Sequence, residues 1–308
     1  MNYYVGMFSS VRTQEKINKI NSNLLILNRI YFWSWRMSTV EYKKIASTLR
    51  KYVLEAIYNG GSGHPGGSLS LADIMAVLYG DRMHLDPKDP KDPNRDRFVL
   101  SKGHAAPILY AALAYKGYFE IAELKNLRHL GSFLQGHPEM KHTPGVDMTT
   151  GSLGQGISAA CGMALGLKMS GSKARVYAVI GDGEMEEGQV WEALMFANQY
   201  HLSNLTIVLD YNKLQIDGPT SEVMDVDNPA ERFADFHLNT LVIDGHDYEQ
   251  INDAFDKAEQ CTDRATIIVA NTIKGKGVSF MENQVGWHGK APNAEEYKKA
   301  MEELSNEG

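Results

Sequence analysis

The residues with the clearest chemical potential are a Gly-Asp-Gly turn and a set of histidines held in glycine-rich loops. Gly181-Asp182-Gly183 leads into the acidic run Glu184-Met185-Glu186-Glu187-Gly188. Glycines let an anion approach the backbone, and a helix starting just beyond offers unpaired N–H groups to a phosphate. Asp182 supplies a hard oxygen. Thirty residues further on, Tyr211-Asn212-Lys213-Leu214 supplies a second side-chain oxygen in Asn212. Two such oxygens, a backbone carbonyl and diphosphate oxygens nearly complete the octahedron that Mg2+ demands. Either half alone reads as an ordinary turn or a strand-end Asn. Together, spaced by one strand–helix–strand unit, they read as a cation and diphosphate site.

Four of the ten histidines, His64, His104, His137 and His288, sit in Gly-flanked loops. A lone His is most often structural or solvated, but four in tight turns fit groups that move protons near neutrality. The other six, His84, His129, His142, His201, His237 and His246, read as structural. Gly61-Ser62-Gly63-His64-Pro65-Gly66 matches the dinucleotide fingerprint in letters only. That motif must follow a strand, whereas a helical pattern precedes it here, and Pro65 lacks the N–H a pyrophosphate needs.

The elements that must position these groups follow from periodicity. Ile45, Leu49, Val53 and Ile57 recur every fourth residue after a capping Ser38 or Thr39, and Asn59-Gly60-Gly61 stops that helix. Residues 60–68 read as a loop, Leu71 to Tyr79 as a second helix and the Pro-rich stretch 86–95 as a surface loop. Phe98–Ser101, Arg175–Ile180, Leu205–Asp210, Thr240–Ile243 and Thr266–Ala270 read as strands. Helical patterns near 105–116, 153–169, 187–200 and 247–260 alternate with them. Such alternation predicts an α/β fold, a doubly wound parallel sheet with helices on both faces. In that fold, ligands bind beyond the carboxyl ends of the strands, where Asp182 and Asn212 fall.

Composition narrows the classes. The chain of 308 residues is 43% hydrophobic and 22% charged, which excludes a disordered or collagen-like chain. Lys and Arg total 31 against 38 Asp and Glu, a net charge of −7, and without a basic block nucleic acid is not an expected partner. Cys161 and Cys261 are too few for a disulfide framework or a Cys-based metal site. The apolar stretch Leu24 to Trp35 is short for a bilayer span and carries Asn28 and Arg29. No secretory signal pattern is present, so a cytoplasmic protein without a membrane partner is expected. Residues 1–36, with the aromatic cluster Tyr31-Phe32-Trp33-Trp35, lack a clean period. They read as an extension ahead of a single domain over 37–308, with a partner-docking arm as the rival reading.

Gly181-Asp182-Gly183 with the downstream Asn212-Lys213 resembles the thiamine diphosphate (TPP) signature, and the flanking motifs resemble transketolase. These are Gly63-His64-Pro65-Gly66, Ser101-Lys102-Gly103-His104, Gly136-His137-Pro138-Glu139, Thr150-Gly151-Ser152-Leu153-Gly154-Gln155-Gly156 and Gly286-Trp287-His288-Gly289. The resemblance covers most of residues 38–308. It implies the TPP-binding fold, with Asp182 and Asn212 as side-chain ligands of Mg2+ (or another divalent cation such as Ca2+ or Mn2+) and the Leu214 carbonyl as a third. It further implies that Gly183, His104 and Lys274 line the diphosphate and that Gly151 and Leu153 face the cofactor's rings. His288, which also touches the cofactor, and His64 would serve oxygens at the reacting carbons, and His137 the donor's terminal hydroxyl. Glu187 and Glu192 would lie at the subunit interface in a proton network, although both also suit a helix N-terminus.

The reaction so implied moves a two-carbon ketol unit from a ketose phosphate to an aldose phosphate, as in the pentose phosphate pathway. One-piece transketolases carry two further domains, one holding the glutamate that activates TPP. The chain is therefore expected to be the N-terminal subunit of a split transketolase. It would be active only with a separate C-terminal partner subunit, in a heterotetramer of two chains of each kind. The alternatives are half of a deoxyxylulose-phosphate synthase-like enzyme, a transketolase for sulfosugars or branched sugars, or a non-catalytic TPP-binding protein. Gly136–Glu139 and Trp287–Gly289 fit transketolase better than the synthase, and the four histidines favour an enzyme. Gly66 and Gly67 stand where the family often has Ser or Thr-Ser.

Overall fold

In the computed structural model of the chain, residues 36–306 are described. The aromatic cluster and nearly all of the expected extension lie outside them. From Thr39 on, the order of elements follows the alternation read from the sequence. Helix α1 (Thr39–Gly60) buries Ile45, Leu49, Val53 and Ile57, the four positions of its apolar stripe. Gly61, at φ +59°, then turns the chain in a conformation that costs glycine nothing. The stretch read as a loop is half helical: α2 (Pro65–Leu69) starts on Pro65, where no N–H is required, and all five of its residues are buried. Packing, which periodicity over five residues cannot signal, makes this turn. Helix α3 (Ala72–Val77) follows and runs on through a wider turn over Leu78–Arg82.

The remaining elements are β1 (Arg97–Leu100), α4 (Ala106–Lys116), α5 (Gln155–Met169), β2 (Val176–Gly181), α6 (Gly188–Gln199) and β3 (Leu205–Tyr211). A two-residue hairpin, β4 (Leu214–Gln215) and β5 (Gly218–Pro219), precedes α7 (Thr220–Val223) and α8 (Pro229–Asp235). The chain then returns through β6 (Asn239–Asp244), α9 (Tyr248–Gln260) and β7 (Thr266–Asn271) to α10 (Ala294–Asn306). Each expected strand agrees with its observed span to within a residue at either end. The hairpin, α7 and α8 are additions, all too short to carry a period.

The main sheet has the order β1-β2-β3-β7-β6 with every pair parallel. Alternate residues of its central strands face opposite layers, so both faces must be apolar. Ala178 and Ile180 of β2 and Ile207 and Leu209 of β3 join Ile157, Cys161, Val190, Leu194 and Phe233 in one core. On the other face Tyr177 meets Phe255 of α9 edge-on, and Phe98 meets Tyr79. The Cys161 thiol is buried in the first of these layers and pushed up to about 12 by burial, so it behaves as a small apolar side chain. Among the described residues no helix is long and apolar enough to cross a membrane.

Candidate active site

Four adjacent strands deliver their first loop residues to one place. β1 runs into Ser101-Lys102-Gly103-His104, β2 into Asp182-Gly183, β3 into Asn212-Lys213-Leu214, and β7 into Thr272-Ile273-Lys274. In register, Gly181 lies beside Asp210, so the residues following each strand meet as neighbours. The cavity they enclose has a volume of about 250 Å³ and is lined by Lys102, His104, Gly151, Leu153, Asp182, Gly183, Asn212, Leu214, Lys274 and His288, among others. Every residue expected to hold cofactor or metal therefore lies on its wall.

Its acidic side is built from oxygen donors. Asp182 is buried; Oδ1 accepts from the Gly183 N–H at 2.9 Å and Oδ2 from the Lys213 N–H at 2.5 Å. Burial pushes its carboxyl up to about 6, and the neighbouring Asp210 adds to this while Lys274 opposes it. Such a carboxylate is under-neutralised, which a divalent cation corrects. The Asn212 amide nitrogen faces Asp210 at 3.5 Å, which turns its oxygen the other way. The Leu214 carbonyl accepts from Lys274 Nζ at 3.1 Å and keeps a second lone pair. One carboxylate, one amide oxygen and one carbonyl fit a hard cation that takes its remaining ligands from a diphosphate. Accordingly, no cluster of three His, Cys, Asp or Glu ligands occurs among the described residues. A Cβ on Gly67 would make ordinary contact, 3.6 Å, with both His104 Nε2 and Lys102 Nζ, so this position does not itself require glycine.

The basic side carries two buried lysines. Lys102 is ion-paired with Asp210 and donates to the Gly67 carbonyl at 2.8 Å. Burial alone would raise the Asp210 carboxyl, but Lys102, Ser70 and Thr272 hold it below the ordinary range. Burial disfavours Lys274 as a cation more than the charges of Asp182 and Asp210 favour it. Burial brings it down to about 8, and its Nζ lies 3.0 Å from His288 Nδ1.

Three imidazoles form a cluster. Ring centroids are 5.3 Å apart for His64 and His104, 5.5 Å for His64 and His288, and 5.1 Å for His104 and His288. Burial, reinforced by nearby cations, lowers His64 to about 4 and His288 to about 3 and puts His104 well below the ordinary value. All three are neutral at pH 7. His137 lies against Gly151, whose φ is +142°; a Cβ there would stand 2.9 Å from the His137 ring, so only glycine fits. Glu187 and Glu192, at the start of α6, are exposed and outside the cavity.

Several functional groups escaped sequence reasoning. Glu184 lines the cavity, buried, and accepts from Ser101 Oγ at 2.5 Å and from the Gly154 and Gly181 N–H groups at 2.9 and 3.1 Å. It ties three of the motif loops together; its place directly after Gly-Asp-Gly was the available signal. Lys102 stood inside a quoted motif without a role. His246 does prove structural: Nδ1 contacts Asp73 at 2.7 Å while Nε2 accepts the Ile273 N–H at 2.9 Å, next to Lys274. Asp73 also pairs with Arg50 at 2.5 Å. No sequence spacing connects residues 50, 73 and 246.

Fold and site together define a parallel α/β domain with a cavity at the carboxyl edge of its sheet whose donors fit a cation and a diphosphate. Residues 41–307 match the family described as transketolase, thiamine diphosphate binding domain, and the chain belongs to that family. It is 46% identical over 269 residues to SqwG of Clostridium sp. (strain MSTE9), a subunit of a 6-deoxy-6-sulfo-D-fructose transketolase, covering 87% of this chain and 98% of the relative. It is 40% identical over 256 residues to one of the subunits of the apulose-4-phosphate transketolase of Phocaeicola vulgatus, covering 83% and 91%. The transketolase of Campylobacter jejuni superposes with a TM-score of 0.83 at 36% identity, covering 87% of this chain but 43% of that one.

Proposed function

We propose that this chain is the TPP- and cation-holding subunit of a two-chain transketolase, which transfers a two-carbon ketol unit between sugar phosphates. The observation that carries this reading is the cluster of three neutral imidazoles, of which His104 and His288 line a cavity that also presents hard oxygen donors and two lysines while His64 packs against both rings. Asp182, Asn212 and the Leu214 carbonyl would hold Mg2+. Lys274, His104 and Gly183 would hold the diphosphate, and Gly151 and Leu153 the rings. Bound TPP supplies an electron sink for breaking a carbon–carbon bond beside a carbonyl.

The chain's own part is to position sugar oxygens and handle their protons. A neutral imidazole donates to a developing alkoxide and takes the proton back without carrying a full charge into the site. Among the described residues His64 Nδ1 is buried without a hydrogen-bond partner. An unmet buried nitrogen costs about 1–3 kcal/mol, and a sugar oxygen would satisfy it. His288 would act beside it, and His137 at the donor's terminal hydroxyl.

Two relatives of nearly this chain's length are named as subunits, which supports a separate partner chain that brings the activating glutamate. Glu187 and Glu192, exposed beyond the cavity, suit that interface. The relative at 46% identity favours a second reading of the donor, a sulfonated ketose in place of a phosphorylated one. Mixing this chain with a second chain bearing the pyrimidine-binding domain should give ketol transfer, assayed separately with ketose phosphates and 6-sulfo-fructose, while the chain alone should give none. Transfer by this chain alone, free of other transketolase, would overturn the two-chain reading.

A further inference from the structure

Arg128 belongs to none of the motifs, yet it stands between the two loops that carry His64 and His137. Nη1 donates to Ser62 Oγ at 3.1 Å and Nη2 to the Gly136 carbonyl at 3.4 Å. Ser62 stands two residues before His64, and Gly136 immediately precedes His137. We infer that Arg128 is a positioning residue, a strut whose guanidinium fixes the His64 loop against the His137 turn and so sets the spacing of the two imidazoles.

Three further observations support the strut. Arg128 has φ +61°, a left-handed conformation that costs a non-glycine residue about 1–2 kcal/mol, and its N–H is pinned to the Leu134 carbonyl at 2.8 Å. Strain of this kind persists where the surroundings impose it. Gly136 is shaped for the guanidinium: a Cβ there would fall 2.9 Å from Arg128 Cζ. Tyr110 anchors the same turn from α4, donating to the carbonyls of Gln135 and His137 at 3.0 and 2.9 Å. That fixes the turn to the core, while Arg128 ties it to the other loop. The two acceptors are reached by different nitrogens of one rigid planar fork, a spacing that the single Nζ of lysine does not reproduce. Both acceptors are neutral, and after burial the guanidinium is the main influence lowering the titration of His64 and of His137.

The kinetic arm of the test rests on the transketolase reading; a spectral arm does not. In the assembled enzyme, Arg128→Met removes the strut, and Gly136→Ala displaces it while the charge stays. Each should lower kcat roughly a hundredfold, the scale of an ångström's misplacement, with the dissociation constant of Mg2+–TPP within about twofold of wild type. The double variant should be no worse than the poorer single one, because both act on one contact. Additive losses, an unchanged kcat, or a TPP affinity that falls in step with kcat would overturn the strut. In the full chain labelled with 15N-histidine, both variants should move the ring signals of His64 and His137, assigned through His→Gln variants, and leave that of His246 in place. Stationary His64 and His137 signals refute the strut. If these signals move while wild-type enzyme shows no ketol transfer, the functional reading fails and the strut stands.

Discussion

Lys274→Met should raise the stability of the free chain and weaken its hold on TPP. Lys274 is 2% exposed, and burial brings its amine from 10.5 down to about 8. A base whose pKa is lowered by folding costs stability while protonated. The cost is present below about pH 8 and disappears as pH rises toward the unfolded value. It is on the order of 3 kcal/mol at neutral pH, and methionine fills the same path beside Gly66 without it. Loss of the hydrogen bond to the Leu214 carbonyl returns about 1 kcal/mol, leaving a net gain near 2 kcal/mol, a rise in melting temperature of about 4–8 °C. A hydrogen bond to a charged diphosphate is worth about 1.5–3 kcal/mol, so TPP should bind roughly 10- to 150-fold more weakly. Thermal melts of the variant without ligand, and calorimetric titration of the assembled enzyme with Mg2+ and TPP, measure the two effects. A melting temperature that drops by several degrees with TPP affinity unchanged would refute the reasoning, because Lys274 would then be a structural cation.

His137→Ala should leave TPP affinity nearly intact and lower turnover by about a hundred- to ten-thousandfold, the usual range for a lost proton-handling group; an unchanged rate would return it to a packing role against Gly151. Folding lowers His64 to about 4 and His288 to about 3 from 6.5, so the unfolded chain binds protons first as pH falls. Stability of the free chain should therefore be lost from about pH 6.5 downward, and less steeply in a His64→Gln, His288→Asn double variant. Parallel denaturation curves across that window would mean the two rings titrate normally.

Much of this was legible because strands and long helices announce themselves by period. Val176–Ile180 is a continuous apolar run, Leu205–Leu209 is broken only by Thr206, both are buried, and the strands they form are followed by the polar residues Asp182 and Asn212. Their parallel order then brings the proposed metal donors together without further information. What stayed hidden is held by single long-range contacts. Lys102 meets Asp210 across 108 residues, and His246 meets Asp73 across 173. The turn α2 is fixed by packing of Gly66 against Lys274, and Arg128 acts through acceptors on two separate loops. A pattern read along one segment carries no trace of such pairs.

The central claim is that Asp182, Asn212 and the Leu214 carbonyl hold the cation through which this chain binds the diphosphate of TPP. Calorimetric titration of TPP into the assembled enzyme, with Mg2+ and after chelation, tests it most directly when wild type is compared with Asp182→Ala. Wild-type affinity should depend on the cation. The variant should bind more than about a hundredfold more weakly and lose the response to Mg2+, since it gives up the one charged ligand of the site. TPP binding by Asp182→Ala at wild-type affinity, still dependent on Mg2+, would contradict the account.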